Sequence, residues 1–527
     1  MGFVSMAFQR AFWRAFDCVL CCLCVVWVAT LSIAGCAKID SGVDSSVNSS
    51  MDSSMDSYVD SALESSRHNT QSTEPIMHDT PTSQDTLTQE DMQINDNQII
   101  ITESGQTQCE AITLHKAKLS FVGDIVLGDY KGASGATFNA KFKEVGGDYD
   151  YFTKGIVSVL ENDDLSIGNM EGVLSDKNLK NAFDKPFSFK GQSIFTQILK
   201  SAHIQALNIA NNHSRDYGRQ GFLDTIEHLQ QADLAVFGEG ILHIYEANGI
   251  KFGLAGHRGW NLGIKSQVKK EIKALRDQGA DIVIFTFHWG EERKYYPNAT
   301  QRELAHFSID SGADMVIGHH PHVLQGIETY KGKKIIYSLG NFIYGGAKNP
   351  KDKDSMIYQT LFLEFASAKE AEQQAKEIAT YLQPMQNPNQ THQANKPNNT
   401  TSNTTDTIDK TDMIHKAKKD VAESEAAESD VAKSAENERE NEAESLAQEA
   451  KSKCFKEIYL QGRFITSQPR IDVFDQFVLI HNIVPVSISS TSAYNDYVPM
   501  VYEEDSSGFT RIFRRLEEYS QSLNQKR

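Results

Sequence analysis

The chain has 527 residues, 52 of them basic and 70 acidic, for a formal net charge of -18, and a mean hydropathy of -0.43. It has no basic stripe able to replace the counterions of a phosphate backbone, which excludes a nucleic-acid partner. A disulfide scaffold is excluded too: of seven cysteines, Cys18, Cys21, Cys22, Cys24 and Cys36 lie within the first 36 residues, leaving only Cys109 and Cys454 beyond them.

Arg10 and Arg14 precede an apolar run, Val19 to Ile33, which closes in Ile33-Ala34-Gly35-Cys36, the order of a bacterial secretory signal. Small residues before a cysteine resemble a lipoprotein signal, so residues 1–36 are expected to be a signal peptide ending at a lipidated Cys36. The other reading is an uncleaved transmembrane anchor, for which the run is slightly short. Either way the bulk of the chain is expected outside the inner membrane, in the periplasm or on the cell surface, and on the outer membrane of an envelope that has two. Residues 37–112, rich in Ser, Asp and Thr with few aromatics, read as a disordered tether. Cys109 and Cys454, the cysteines left in the exported part, are expected to be free thiols.

From about residue 113 to 366 apolar strands alternate with amphipathic helices, which predicts an α/β domain. Its strands repeatedly end in polar residues. The first, from Lys118 to Val122, stops at Gly123-Asp124, so the Asp124 carboxylate emerges where a cation can meet it, although Asp also serves there as a turn former. After the strand Leu165 to Met170, Glu171 can bind or bridge metal ions, and Asn169 on the same strand face can hold a ligand carboxylate or a substrate oxygen. The strand starting at Ala206 leads through Asn211-Asn212-His213 and Asp216-Tyr217-Gly218 into a helix from about Gly221 to Gln231. The Asn212 carbonyl oxygen is a usable ligand, and the neighbouring His213 imidazole can donate a proton to a leaving group. The run Asp281 to Phe287 delivers His288 at its end. The strand Ala313 to Ile317 closes in Gly318-His319-His320-Pro321-His322, where two imidazoles separated by one residue can turn toward one ion. Leu339-Gly340-Asn341 supplies another polar end, with Asn341 either a contact or a turn former.

From 367 to 455, Asn/Thr and Ala/Glu/Lys/Ser tracts read as a low-complexity, solvated insertion without chemistry. Strands are expected again over Glu457–Thr466 and Phe474–Val486, and a last helix from about Phe509 to Leu523. Residues 456–524 thereby complete the same domain.

Taken in order, Gly123-Asp124, Asn169-x-Glu171-Gly172, Asn211-Asn212-His213 with Asp216-Tyr217-Gly218, His288-Trp289-Gly290, His320-Pro321-His322 and Gly340-Asn341-Phe342 resemble the CapA-type capsule synthesis proteins of poly-γ-glutamate biosynthesis. These belong with the calcineurin-like metallophosphoesterases. The resemblance covers about Lys116 to Phe365 and resumes at Val484-Pro485-Val486. It implies a four-layer sandwich, two β-sheets face to face with helices outside, and a metal site at the strand ends. It further implies Asp124 on one metal, Glu171 bridging, Asn212, His288 and His320 on the second, and His322 returning to the first. His213 is then the general acid, Asn169, Asn211, Asp216 and Asn341 are substrate contacts or supports, and His319 is a neighbour outside the ligand pair. One departure stands out. Catalytic phosphoesterases usually place a histidine two residues after the first aspartate, where this chain has Val126, leaving the first position a ligand short and the site with one ion or two.

The mixed Asn, carboxylate and imidazole ligands favour Mn, Fe or Zn over Ca or Mg. The resemblance implies an envelope-anchored, metal-dependent hydrolase or transferase acting on an anionic surface polymer or with its synthesis and export machinery. The rival is a non-catalytic, membrane-anchored accessory subunit that binds the polymer or that machinery. Val126 favours the rival, and the intact Asn212-His213 pair favours catalysis.

Overall fold

A computed structural model of the chain describes residues 113–382, 470–504 and 506–525. Cys36, the segments 1–36 and 37–112, Cys109, Cys454, the insertion beyond 382 and the strand expected over Glu457–Thr466 lie outside the described residues.

Two large sheets carry the fold. In the larger, β1 (His115–Val126), β3 (Leu165–Met170), β6 (Ala206–Asn208) and β7 (Ala235–Phe237) lie side by side and parallel, and β14 (Asn341–Tyr344) pairs parallel with the last part of β1. Beyond β1 the sheet continues antiparallel through β15 (Asp354–Glu364), β17 (Phe477–Ser487) and β16 (Arg470–Phe474), with β18 (Met500–Val501) on β17. The smaller sheet has the order β12 (Ile327–Tyr330), β13 (Lys333–Ile336), β11 (Met315–His319), β10 (Ile282–Trp289), β9 (Ile250–Gly259) and β8 (His243–Ala247). A third, small sheet joins β2 (Asp129–Tyr130), β5 (Phe189–Gly191) and β4 (Val173–Leu174). The helices are α1 (Phe138–Glu144), α2 (Val157–Leu160), α3 (Thr196–Ser201), α4 (Gly218–Gln231), α5 (Lys265–Asp277), α6 (Ala299–Asp310), α7 (Ala368–Tyr381) and α8 (Ser507–Gln521).

Period-two alternation builds the layers, because successive strand side chains point to opposite faces. Leu119, Phe121 and Ile167 of the larger sheet share one core with Phe252, Leu254, Ile282, Ile284, Met315 and Ile317 of the smaller. The opposite faces are covered by helices. Val122, Ile125 and Met170 pack with Ile198 and Leu199 of α3 and Phe222 and Ile226 of α4. Val283, Phe285 and Phe287 pack with Val268 and Ile272 of α5 and Leu304 and Ile309 of α6. Helix, sheet, sheet, helix is the four-layer α/β sandwich expected, and each large aliphatic side chain buried in it contributes about 1.5–3 kcal/mol.

Three boundaries differ from expectation. The insertion was expected from residue 367, yet the fold continues through α7, whose Ala371, Ala375 and Ile378 recur at helical spacing and pack on Leu361, Leu363, Val478 and Ile480. Ser367 starts that helix as its N-cap, accepting from the Glu370 N–H at 3.2 Å. Phe474 to Val486 is not one strand but two, turning at Asp475-Gln476, where Asp475 adopts a φ of 50° that a two-residue hairpin turn demands. β1 runs two residues past Asp124. β17 pairs with β15 from Asp354↔Ser487 to Glu364↔Phe477, so chain before residue 382 and after residue 470 shares one sheet.

Candidate metal centre

A bulge aims the first carboxylate. β1 and β3 pair Phe121 with Ile167 and Asp124 with Asn169, so β1 takes three steps where β3 takes two. The extra residue switches the parity of everything after it. Phe121 faces the inter-sheet core and Val122 the helical side, yet Ile125 also faces the helical side, which leaves Asp124 turned inward. Gly123 occupies the bulge because a Cβ there would stand 2.2 Å from the Gly340 carbonyl oxygen.

On the smaller sheet plain alternation suffices. Ile282 and Ile284, then Met315 and Ile317, face the inter-sheet layer, so the register pair His288 and His319 ends on that same face. Just past β11, His320 and His322 adopt φ angles of 96° and 56°. Such left-handed backbone is costly for a residue with a Cβ, and here the His320 N–H is spent on Asp124 Oδ2 at 3.2 Å.

These elements bring seven predicted residues together at the seam of the two sheets. Asp124, Glu171 and His322 offer ligand atoms all within 4.8 Å of one another, and so do Glu171, His288 and His320. Glu171 belongs to both sets. Asn212 joins the second through its Oδ1, 2.7 Å from His288 Nε2. His213 stands beside them, its Nε2 3.9 Å from Glu171 Oε1. Val126 does not: it lies in an apolar cluster with Phe189, Tyr344 and Ile488.

The remaining predicted residues act as supports. Asn169 donates to Asp124 Oδ1 at 2.8 Å and lies 3.2 Å from His288 Nδ1. Asn341 Oδ1 is 2.8 Å from His322 Nδ1. Asn211 donates to the Met170 carbonyl at 2.8 Å and accepts from the His213 N–H at 3.1 Å, shaping the loop rather than facing the ligands. Asp216 receives His213 Nδ1 at 2.8 Å and the Phe189 N–H at 2.7 Å.

His319 stays outside both ligand sets, as expected, yet it is 2 % exposed and its Nδ1, which makes no hydrogen bond, lies 3.3 Å from Asp124 Oδ1. Three further residues escaped the sequence. Asn208 donates to Asn169 Oδ1 at 2.8 Å, extending the amide chain behind Asp124, and its signal was a polar residue ending a buried strand. Lys185 pairs with Asp216 and donates to the Asn212 carbonyl at 2.9 Å. Trp260, 41 % exposed, sets its ring 4.7 Å from that of His320. Neither of the last two carries a local signal.

The electrostatics are those of a cation site. Both Glu171 oxygens are buried and accept no hydrogen bond, and His320 Nδ1 is likewise unpartnered. An unsatisfied buried carboxylate is strongly unfavourable, so this donor set fits a divalent metal. Burial, reinforced by Asp124 and opposed by His322, pushes the Glu171 carboxyl up to about 8. Burial would lower His322, but Glu171, Asp124 and Asn341 outweigh it and raise it to about 10. Burial and the neighbouring imidazoles hold His288 well below its ordinary value and His320 at about 3. For Asp124 burial acts upward, and His319 and His322 overcome it, keeping the carboxyl well below the usual range.

The ligands open into a cavity of about 550 Å³ lined by His213, His322 and Asn341, by the cations Lys185, Arg293 and Lys351 and by the carboxylates Glu292 and Asp352.

Residues 118–256 and 248–346 match the family model described as bacterial capsule synthesis protein PGA_cap. The capsule biosynthesis protein CapA of Bacillus anthracis is 32% identical over 272 residues, 46% of this chain and 63% of that protein. The PGA biosynthesis protein CapA of Bacillus subtilis is 34% identical over 262 residues, 46% of this chain and 66% of that protein. A probable polyglutamine synthesis accessory protein of Mycobacterium tuberculosis is 26% identical over 244 residues, 39% of this chain and 64% of that protein. The chain spans just under two thirds of the length of these curated relatives. Among solved structures, a 5'-nucleotidase from Candida albicans shares 13% identity with a TM-score of 0.29, over 48% of each chain. Residues 118–346, the stretch that carries Asp124, Glu171, His213, His288, His319, His320 and His322, thus match the bacterial capsule synthesis protein family, and the CapA proteins are what this stretch is similar to.

Proposed function

We propose that this chain is a CapA-like envelope protein of capsule or poly-γ-glutamate-type polymer biosynthesis, and that its centre is that of a metal-dependent hydrolase or transferase of the metallophosphoesterase class. The observation that carries the reading is Glu171, buried, unpartnered and common to both ligand sets. Asp124 and His322 would hold an ion at the first position and Asn212, His288 and His320 one at the second, with Glu171 available to both. Such an ion, Mn, Fe or Zn, would supply a Lewis acid for a phosphoryl or amide oxygen and lower the pKa of water. Asp216, itself fixed by Lys185 and the Phe189 N–H, orients His213 through Nδ1. With Nδ1–H given to Asp216, His213 turns Nε2 toward the centre, and as the imidazolium, which burial disfavours and Asp216 favours, it would pass the Nε2 proton to the leaving atom.

In this reading residues 1–36 are the signal, Cys36 the lipid anchor and 37–112 the tether, and a domain that begins at 113 and runs through α7 is completed by 456–524. The partners are an anionic surface polymer and its synthesis or export machinery. No helix of the described residues is long and apolar enough to cross a membrane. Loss of membrane association in Cys36→Ser tests the anchor.

A second reading, a non-catalytic accessory subunit, is favoured by Val126, whose apolar packing leaves the first position without the usual histidine. Metal analysis of the purified chain, followed by assays on phosphodiesters and on poly-γ-glutamate, separates the two. His320→Ala is expected to lose metal and activity together, and unchanged metal content in it would remove the site assignment. A metal-loaded chain that turns over neither substrate supports the accessory role.

A further inference from the structure

A second cavity, of about 580 Å³, opens between the edges of the two sheets and α8 and shares no lining residue with the first. At its base Tyr358 is 1% exposed and its hydroxyl has no hydrogen-bond partner. Buried phenols normally find one. The ionisable groups next to it are ion-paired with one another, while His481 Nε2 and Asp472 Oδ2, like the Tyr358 hydroxyl, make no hydrogen bond. His481 Nδ1 is 3.0 Å from Thr360 Oγ1 and its Nε2 is 3.0 Å from Asp472 Oδ2, while Lys334 Nζ pairs with the same oxygen at 2.8 Å. Phe509 and Phe513, rings 4.8 Å apart, give the cavity an apolar wall, and Arg470 and Arg514 outnumber Glu517 among its charged rim residues.

We infer that this cavity is a binding site for a small organic acid: a carboxylate that accepts from the Tyr358 hydroxyl and faces the arginines, joined to an apolar body that packs on the Phe509–Phe513 wall. Its volume is that of a small-molecule site, and it combines an apolar lining with a few polar groups. An acceptor is what Tyr358 lacks, and a negative charge is what the rim favours. Helical spacing gives the site a connection to the first cavity. Phe509, Phe513 and Glu517 of α8 line the second cavity. Arg515, on another face of α8, pairs with Asp352, and Tyr519 stacks on Tyr295 at 5.4 Å. Asp352 and Tyr295 both line the first cavity.

Isothermal titration of the full chain with benzoate, and with neutral benzamide as its counterpart, tests the site. Benzoate is expected to bind saturably with a Kd on the order of 1 mM, and benzamide more weakly. Tyr358→Phe, which deletes one oxygen and leaves the packing, should weaken benzoate about tenfold, and Arg514→Ala, at an exposed position, should weaken it as well. His320→Ala should bind benzoate as the wild type does, so the outcome is independent of the metal centre. Absence of saturable benzoate binding, equal affinity for benzamide, or unchanged affinity in both Tyr358→Phe and Arg514→Ala would overturn the inference.

Discussion

The two sheets bring different chemistry to the centre. The larger supplies carboxylates and amides, Asp124, Asn169, Glu171 and Asn212, and aims them through a bulge and a ladder of side-chain hydrogen bonds running from Asn208 through Asn169 to Asp124. The smaller supplies imidazoles, His288, His319, His320 and His322, and aims them through strand register and two left-handed backbone positions. Neither sheet holds a site alone, so the inter-sheet core is also what sets ligand spacing. Within the larger sheet a second contrast appears. Asp124 is held by Asn169, the His320 N–H, His319 and His322, whereas Glu171 accepts no hydrogen bond. A carboxylate held by the protein is a prepared ligand, and one left bare needs the ion.

The largest effect is expected at the bare carboxylate. Glu171→Ala should empty both positions and lower activity by more than the ~100-fold typical of losing a group behind a ligand, as read by metal analysis beside turnover. Retention of one full equivalent would show that Glu171 serves only one position. His213→Ala should keep the metal content and lose about 10²–10⁴ in turnover, and full activity in it would move the balance to the accessory role. His319→Ala, which removes one of the four holds on Asp124, is expected to weaken Mn²⁺ about 10- to 100-fold at the first position. Calorimetric titration would resolve that loss from an undisturbed second position.

The smallest effect is one of pH. In chelator-treated protein the Glu171 carboxyl titrates at about 8 rather than its ordinary 4.5. A raised folded-state pKa means that its contribution to stability is whole below pH 4.5 and is lost as pH rises toward 8. Glu171→Gln carries no such charge, so urea unfolding at pH 5 and at pH 8.5 should show the metal-free wild type losing stability relative to the variant. Parallel behaviour of the two would mean that the carboxyl is not desolvated as the fold implies.

Much of this centre is legible in the sequence because a buried strand that ends in Asp, Glu, Asn or His is chemically conspicuous. Asp124, Glu171, Asn212, His213, His288, His320 and His322 all stand at or just beyond such runs, and the fold gathers them. His319 was set aside because alternate spacing pairs His320 with His322, while its own face depends on the register of β11 against β10, which is a property of two strands. Lys185 and Trp260 lie in connections where nothing local distinguishes a site lysine or tryptophan from a surface one. The start of α7 was hidden for a similar reason: a helix of Ala, Glu, Gln and Lys reads as solvated until the sheet face that covers its alanines is known.

The order of apolar runs and the chemical type of each strand end follow from the amino-acid sequence by itself, since hydrophobic period and residue chemistry are local, whereas the missing histidine at Val126 is what the family resemblance implies. Tertiary structure alone decided which face Asp124 takes and that His319 comes to 3.3 Å from Asp124, whereas the sharing of Glu171 is what the family resemblance implied beforehand. The first two depend on the register between strands distant in sequence, where one extra residue, Gly123 in its bulge, turns a side chain from the helical layer to the seam between the sheets.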